Sequence, residues 1–307
     1  MAIPRTTFIL GAGASNHLNY PTGAELRKLI VHKMGEGKSD LYDALKSLDA
    51  SDTIIKKIRD IIYYADFDSI DEVLFQYRDD PKVIIYGKAA IAFELNRHEH
   101  EHHLFGAGNP GWYKSLFRFL HKNPAIVDEQ AFSFITFNYD RSLDFYLERA
   151  LIHSRHSGEG RQKVLNFLQS NITHMHGQLG YLEWQTHSGP GRFRSYSQKM
   201  ETASELIGIA GSIILPHETN PNTVIAANGY LEHADKVCVL GYGYHEANNN
   251  KLGLPKLREM HVKKVVYTTL RDPSASAAKF VNDQLKPEYA LPDIQSCVDS
   301  VLNTYNS

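Results

Sequence analysis

Short apolar runs recur along the chain and alternate with longer stretches whose apolar residues return every three or four positions. Such runs, bounded by turn-forming residues, are typical of buried parallel strands. The predicted strands are Thr7–Leu10, Ala131–Phe137, Asn171–His174, Ser212–Leu215, Lys236–Leu240 and, as the last, Lys264–Thr268. Helices are predicted from Ala24, over Leu143–Ala150 and after Pro273. This alternation favours an α/β fold with a Rossmann-like, doubly wound, mainly parallel sheet.

The segment between about residues 39 and 128 lacks a strand pattern and is predicted to be a large helical insert. Ile54, Ile58 and Ile62 form an apolar stripe at helical spacing. Asp68 or Ser69 is expected to cap the next helix, and Pro81 to open the one after it. A second insert of loop and helix is predicted over about residues 151–211, and the whole chain, 1–307, is predicted to form one domain.

Composition narrows the class of protein. The 307 residues are 42% hydrophobic and 22% charged, which excludes a disordered chain. The net charge of −2 argues against a nucleic-acid coat or a membrane-surface protein. Cys238 and Cys297 are too few for a four-cysteine zinc site or a disulfide framework and point to a reducing compartment. Without a secretory leader or a membrane-spanning run, we expect a cytoplasmic protein.

The glycine-rich motif GAGAS, residues Gly11 to Ser15, follows the first predicted strand. Glycines let a backbone approach a phosphate closely, although a simple tight turn has the same composition. The motif lacks the Gly-Lys-Ser/Thr of a Walker loop, and Asn16 occupies the third glycine position of G-x-G-x-x-G. No acidic strand end follows about 20 residues later, so a hydride-transfer enzyme is disfavoured.

Three further polar segments also follow predicted strands: Asn138-Tyr139-Asp140, His176-Gly177 and Gly241-Tyr242-Gly243-Tyr244. In parallel sheets the carboxyl ends of the strands share one edge, so we expect all four segments to meet at one crevice. Asn138 and Asp140 are suited to holding a polar ligand there. Asn and Asp are also favoured helix caps, so one of the two has a simpler explanation.

The histidines allow several interpretations. His174 and His176 alternate along a predicted strand and would share one face, where Asp140 is the candidate third ligand of a metal site. His176 alone suits a general base. The histidine-rich stretch Arg97–His103 is expected to be solvated, with adventitious metal binding as the alternative. Arg192 and Arg194 are interpreted as exposed loop charges or as contacts to phosphate or nucleic acid.

The four motifs, in this order, resemble those of the sirtuin-like superfamily, and the resemblance spans nearly the whole chain. Protein deacylases of that superfamily carry a zinc ribbon with two Cys-x-x-Cys pairs after His-Gly, which this chain lacks. The helical insert, Ser69–Leu74 and Ile135–Asp140 look closer to bacterial antiphage-defence members, which are NAD hydrolases.

The resemblance implies a role for each matching residue. Asn138 would hold the nicotinamide ribose and the attacking water, Asp140 the nicotinamide carboxamide, and His176 would act as general base. The implied nucleotide-binding residues are Gly11, Ala12, Gly13 and Ser15 at the pyrophosphate, Thr136, and Gly241, Gly243 and Tyr244 at the adenosine half, with Thr268 or Thr269 near its ribose.

The expected function is therefore that of an NAD glycohydrolase, with NAD as substrate and no metal, acting as the NAD-depleting effector of an abortive-infection system. Two alternatives stay open within the superfamily: a non-catalytic NAD- or ADP-ribose-binding subunit and an NAD-dependent deacylase. A metal-dependent hydrolase built on His174, His176 and Asp140 is a third. The expected partners are further copies of the chain and a separate protein such as a hexameric translocase-type ATPase or a short Argonaute, without sequence-specific nucleic-acid contacts or a membrane.

Overall fold

The computed structural model describes residues 3–65, 67, 69–154, 158–186, 193–259, 264–269 and 273–305. Six strands form one parallel sheet in the order β3-β2-β1-β4-β5-β6. This order is that of doubly wound dinucleotide-binding folds, so the predicted fold class is confirmed. The strands are β1 (Thr6–Leu10), β2 (Phe132–Thr136), β3 (Ile172–His174), β4 (Lys236–Leu240), β5 (Val265–Thr269) and β6 (Tyr289–Leu291).

Alternate residues of the strands feed two separate hydrophobic cores, because successive side chains of a strand point to opposite faces. Phe8 and Phe134 belong to the larger core, and Ile9 and Ile135 to the smaller one. Both faces of the sheet are therefore covered, as expected of a parallel sheet.

Helices fill the chain between β1 and β2. They are α1 (Gly23–Gly35), α2 (Asp40–Ser47), α3 (Asp52–Tyr64), α4 (Ile70–Gln76), α5 (Pro81–Asn96), α6 (Glu101–Leu104), α7 (Trp112–Lys122) and α8 (Pro124–Asp128). Ser69 caps α4, whereas Asp68, the other candidate, lies outside the described residues. Pro81 opens α5 behind the Asp80 cap, as predicted. The apolar stripes of the insert helices pack into the larger core. The insert and one face of the sheet therefore belong to the same hydrophobic core.

The second half of the chain supplies the remaining helices. They are α9 (Ser142–Ser154), α10 (Gly158–Asn171), α11 (Ala203–Ala210), α12 (Pro221–His233), α13 (Glu246–Lys251), α14 (Ala275–Phe280) and α15 (Ile294–Asn303). Short 3-10 helices cover Ala12–Leu18, Pro216–Glu218 and Leu254–Glu259, and a π-helical turn covers Val281–Leu285. In the described part of the chain, no helix is both long and apolar enough to cross a bilayer.

The structure differs from the predicted elements at three points. Ser212–Leu215 is no strand: only Ile213 forms a bridge, antiparallel to Gly177, and the apolar side chains are buried by loop packing instead. The structure adds β6 after β5; its three residues are mostly exposed and give no apolar run. The helix predicted from Ala24 is α1, which begins at Gly23 behind the Thr22 cap, and a 3-10 helix that was not predicted precedes it after the glycine motif.

Candidate functional site

The glycine motifs after β1 and β4 lie against each other at the point where the strand order reverses. Gly11 N donates to Leu240 O at 3.0 Å, and Gly13 N donates to Gly241 O at 3.0 Å. A Cβ on Gly241 would lie 2.3 Å from Ala14 N, and one on Gly11 would lie 2.5 Å from Gly241 O. The glycines therefore allow two protein loops to approach each other closely, a role that the phosphate interpretation did not include.

Ser15, the last residue of the GAGAS motif, belongs to a buried hydrogen-bond network. Ser15 Oγ donates to Asp140 Oδ2 at 2.7 Å, and Asn138 Nδ2 donates to Ser15 Oγ at 3.1 Å. Asn138 N also donates to Thr136 Oγ1 at 3.0 Å. From the insert, Trp112 Nε1 donates to Ala14 O at 2.9 Å. The structure thus brings together three predicted site residues, Ser15, Asn138 and Asp140, from segments more than 120 residues apart.

Asp140 serves both this network and the start of α9. Its Oδ1 accepts hydrogen bonds from the backbone N–H of Ser142, at 3.1 Å, and from the Ser142 hydroxyl. Burial raises the pKa of Asp140, and the hydrogen bonds from Ser142 and Ser15 oppose that effect. Of the two proposed helix caps, Asp140 therefore has the capping contact, while Asn138 faces Ser15.

Arg141, which follows Asp140 in the chain, belongs to a buried ion triad. Arg141 donates to both carboxylate oxygens of Glu99, each at 2.9 Å, and Arg194 Nη1 donates to Glu99 Oε2 at 2.7 Å. The prediction that Arg97–His103 is solvated was wrong for Glu99, which is 2% exposed. Arg194 is likewise buried rather than an exposed loop charge, while Arg192 lies outside the described residues. Burial would raise the pKa of Glu99, but the two guanidinium groups hold it below its ordinary value.

The two histidines of β3 and its following turn have different surroundings. His174 Nε2 lies 3.1 Å from Asp144 Oδ2, and its Nδ1 lies 3.2 Å from Asn138 O. The strand ends at His174, so the turn directs His176 elsewhere. No three His, Cys, Asp or Glu side chains among the described residues are arranged to hold a metal ion. The described residues therefore do not support the alternative ligand set of His174, His176 and Asp140.

His176 is buried among aromatic rings. Its imidazole lies 5.2 Å from the Phe137 ring and 6.2 Å from the Tyr139 ring, between centroids. Burial, and then the Lys251 charge, lower its pKa from 6.5 to about 3, against the opposing effect of the neighbouring Asn248 side chain. The imidazole is therefore neutral at physiological pH.

The loop after β4 contacts β5 through the predicted residues. Gly241 N donates to Thr269 Oγ1 at 3.2 Å, and the hydroxyls of Tyr244 and Thr268 are hydrogen-bonded. Tyr244 has a positive φ of 55°, uncommon for a tyrosine. Thr268 and Thr269 thus lie beside this loop, as proposed for the adenosine side.

Helix α4 of the insert contacts both site loops. The Tyr139 hydroxyl donates to Asp71 Oδ1, and His245 Nδ1 lies 3.1 Å from Glu72 Oε1. Sequence reasoning singled out the segment Ser69–Leu74 by resemblance only and did not predict these contacts. The sequence signal that could have indicated them is the acidic pair Asp71 and Glu72 at the start of α4.

Sequence comparisons give no match to a model of a known protein family and none to a curated protein. Two solved structures are similar in fold. A triple mutant of a Sir2 homologue in complex with 2'-O-acetyl ADP ribose has 14% sequence identity and a TM-score of 0.42, over 98% of this chain and 90% of that chain. A single mutant of a Sir2 homologue in complex with ADP ribose has 12% identity and a TM-score of 0.44, with the same coverage. The fold assignment rests on this chain's own strand order.

Proposed function

We propose that the chain is an NAD glycohydrolase, which cleaves NAD to nicotinamide and ADP-ribose. The observation that carries the proposal is the pair Asn138 and His176 at the ends of β2 and β3. Within the described chain, Asn138 Oδ1 and His176 Nε2 are buried without a hydrogen-bond partner. Such groups carry a desolvation cost that a bound ligand or water offsets.

The chemistry suits these residues. The bond between ribose C1' and the pyridinium nitrogen breaks, and nicotinamide leaves as a neutral molecule with the bonding electron pair. A water oxygen then forms a bond to C1', and its proton passes to solvent. Asn138 orients the ribose and this water, and neutral His176 accepts a hydrogen bond from the water. Positioning supplies most of the catalysis, because the leaving group is already cationic.

One observation favours a second candidate, a non-catalytic subunit that binds NAD or ADP-ribose. A general base works best with a pKa near the working pH, and the pKa of His176 is about 3. A group that only accepts a hydrogen bond has no such requirement. Calorimetry with ADP-ribose would then show binding without any turnover of NAD.

The resemblance also supports a regulatory proposal: the chain is an antiphage effector that becomes active on assembly with further copies or a separate partner protein. The insert offers exposed aromatic side chains for such contacts, with Tyr63 61% and Tyr64 77% exposed at the end of α3. Light scattering at working concentrations tests self-assembly, and a purely monomeric protein contradicts it.

The deciding experiment follows nicotinamide release from NAD by the purified protein, alone and with the products of neighbouring genes. Asn138→Ala and His176→Ala are each expected to reduce turnover by about 10²–10⁴-fold. Asn166→Ala and His121→Ala, at exposed positions, are the matched controls and should leave turnover unchanged. Absence of turnover in every assembly, or full activity in both site variants, contradicts the proposal.

A further inference from the structure

Unpartnered buried polar atoms concentrate at the candidate site. Among the described residues, nine buried side-chain polar atoms have no hydrogen-bond partner. Five of them follow β2, β3 or β4: Asn138 Oδ1, His176 Nε2, Tyr242 OH, Asn248 Oδ1 and Asn249 Oδ1. Because each such atom is destabilising, their concentration in one place indicates groups that are kept for a ligand.

Two neighbouring tyrosines of the loop after β4 differ sharply. The hydroxyl of Tyr244 is hydrogen-bonded to Thr268, so it already has a structural role. The hydroxyl of Tyr242 has no partner in the described part of the chain, although its residue is only 7% exposed. The sequence pattern singled out Tyr244, whereas the structure leaves Tyr242 with the available hydroxyl.

Aromatic contacts connect Tyr242 to the His176 side of the site. The Tyr242 ring lies 5.1 Å from the Phe137 ring, and Phe137 lies 5.2 Å from the His176 ring. Burial, and then the neighbouring Tyr244, raise the pKa of Tyr242 well above its ordinary value. The phenol therefore stays protonated and offers one O–H to an acceptor such as a carbonyl, ribose or phosphate oxygen.

The two asparagines of α13 also have different roles. Asn249 Nδ2 donates to Tyr244 O at 2.7 Å and thereby holds the loop. Asn248 lies beside His176, where its side chain raises the pKa of the imidazole against the effect of burial. Asn248 Oδ1 remains without a partner among the residues that the structure describes. Asn248 is therefore the asparagine placed to contact a ligand next to His176.

We propose that the Tyr242 hydroxyl and the Asn248 amide are ligand-contacting groups that bind a polar edge of the dinucleotide beside His176. The identity of the ligand rests on the proposed function. The assignment of the two residues rests on their unpartnered atoms, and it predicts a specific signature. Removal of such an atom stabilises or leaves unchanged the ligand-free protein and weakens ligand binding.

Thermal unfolding of the full chain tests this signature, with and without ADP-ribose or NAD as the added probe. Tyr242→Phe removes only the hydroxyl oxygen. We expect its ligand-free melting temperature to equal or exceed that of the wild type, and its ligand-induced shift to fall to less than half. Tyr267→Phe is the matched control, since Tyr267 is also a buried tyrosine but lies on β5 and stacks on Tyr289. It should retain the full ligand-induced shift.

A second pair of variants lies on one helix. Asn248→Ala should reduce the ligand-induced shift, whereas Asn250→Ala, at an exposed position of α13, should retain it. A lower ligand-free melting temperature for Tyr242→Phe than for Tyr267→Phe overturns the inference, as does a wild-type ligand shift in Tyr242→Phe. A wild-type protein that shows no shift with either nucleotide contradicts the proposed function instead.

Discussion

The two halves of the candidate site differ in how their polar groups are satisfied. After β1 and β2, Ser15, Asp140 and Ser142 form a connected network, and the next residue, Arg141, is paired with Glu99. After β3 and β4, His176 and Tyr242 keep polar atoms without partners in the described chain. Asn138 belongs to both halves, since its amide nitrogen donates to Ser15 and its oxygen has no partner. The connected half is preorganised by the protein, and the other half holds the unpartnered polar atoms that the proposed ligand would contact.

The largest effect is expected from breaking the Glu99–Arg141 pair next to the connected half. Glu99→Ala leaves Arg141, whose side chain is fully buried, without its carboxylate. Removal of one partner from a buried pair costs about 3–5 kcal/mol. Denaturant unfolding measures this loss, and Glu159→Ala, which breaks the exposed Glu159–Lys163 pair, is the control without a measurable change. A loss in Glu99→Ala as small as in the control contradicts the role of the triad.

A smaller effect is expected where the two halves touch. Gly241→Ala adds a Cβ at a φ of +56° and places it 2.3 Å from Ala14 N, so the loops must separate. The expected loss of stability is about 2–4 kcal/mol. Gly253→Ala is the control, because its φ is +60° but no atom lies within 4 Å of the added Cβ. Its loss should be about 1–2 kcal/mol, from backbone strain alone. Equal losses in both variants would show that the close loop approach is unimportant.

The third prediction concerns the half without partners. Because burial lowers the pKa of His176 from 6.5 to about 3, the unfolded chain binds a proton that the folded chain does not. Stability is therefore lost as the pH falls from about 6.5 towards 3, by up to about 1.4 kcal/mol per pH unit. His176→Gln should flatten this part of the stability curve, while His121→Gln, at an exposed position, should not. An unchanged slope in His176→Gln would mean that another group dominates the acid response.

The sequence was sufficient for the central strands because each is a short, continuous apolar run. Five of the six strands were predicted, although β3 has only one apolar residue, Ile172, and β6 was missed because Tyr289 and Ala290 are exposed. Ser212–Leu215 has the same apolar character as a strand but is used for packing under a loop. An apolar run in the sequence predicts that a segment is buried. Whether the segment is a strand or a buried loop depends on the strands with which it pairs.

The candidate site was predictable to the extent that it follows from strand ends. Ser15, Asn138 and Asp140 meet because parallel strands end at one edge. The Glu99 triad was not predictable, since its partners lie 42 and 95 residues away and no local periodicity encodes them. Glu99 lies within a run of histidines, and such a polar run is typical of a segment exposed to solvent.

The position of β1 in the sheet also sets when the crevice can form during synthesis. Leu10 pairs with Thr136 on one side and with Leu240 on the other. A ribosome adds about 5–20 residues per second, so the roughly 100 residues between these partners take about 5–20 s. During that interval β1 has one open edge, and the crevice has a single wall. A nascent chain therefore reaches translation of its last quarter before the loops after β1 and β4 can meet.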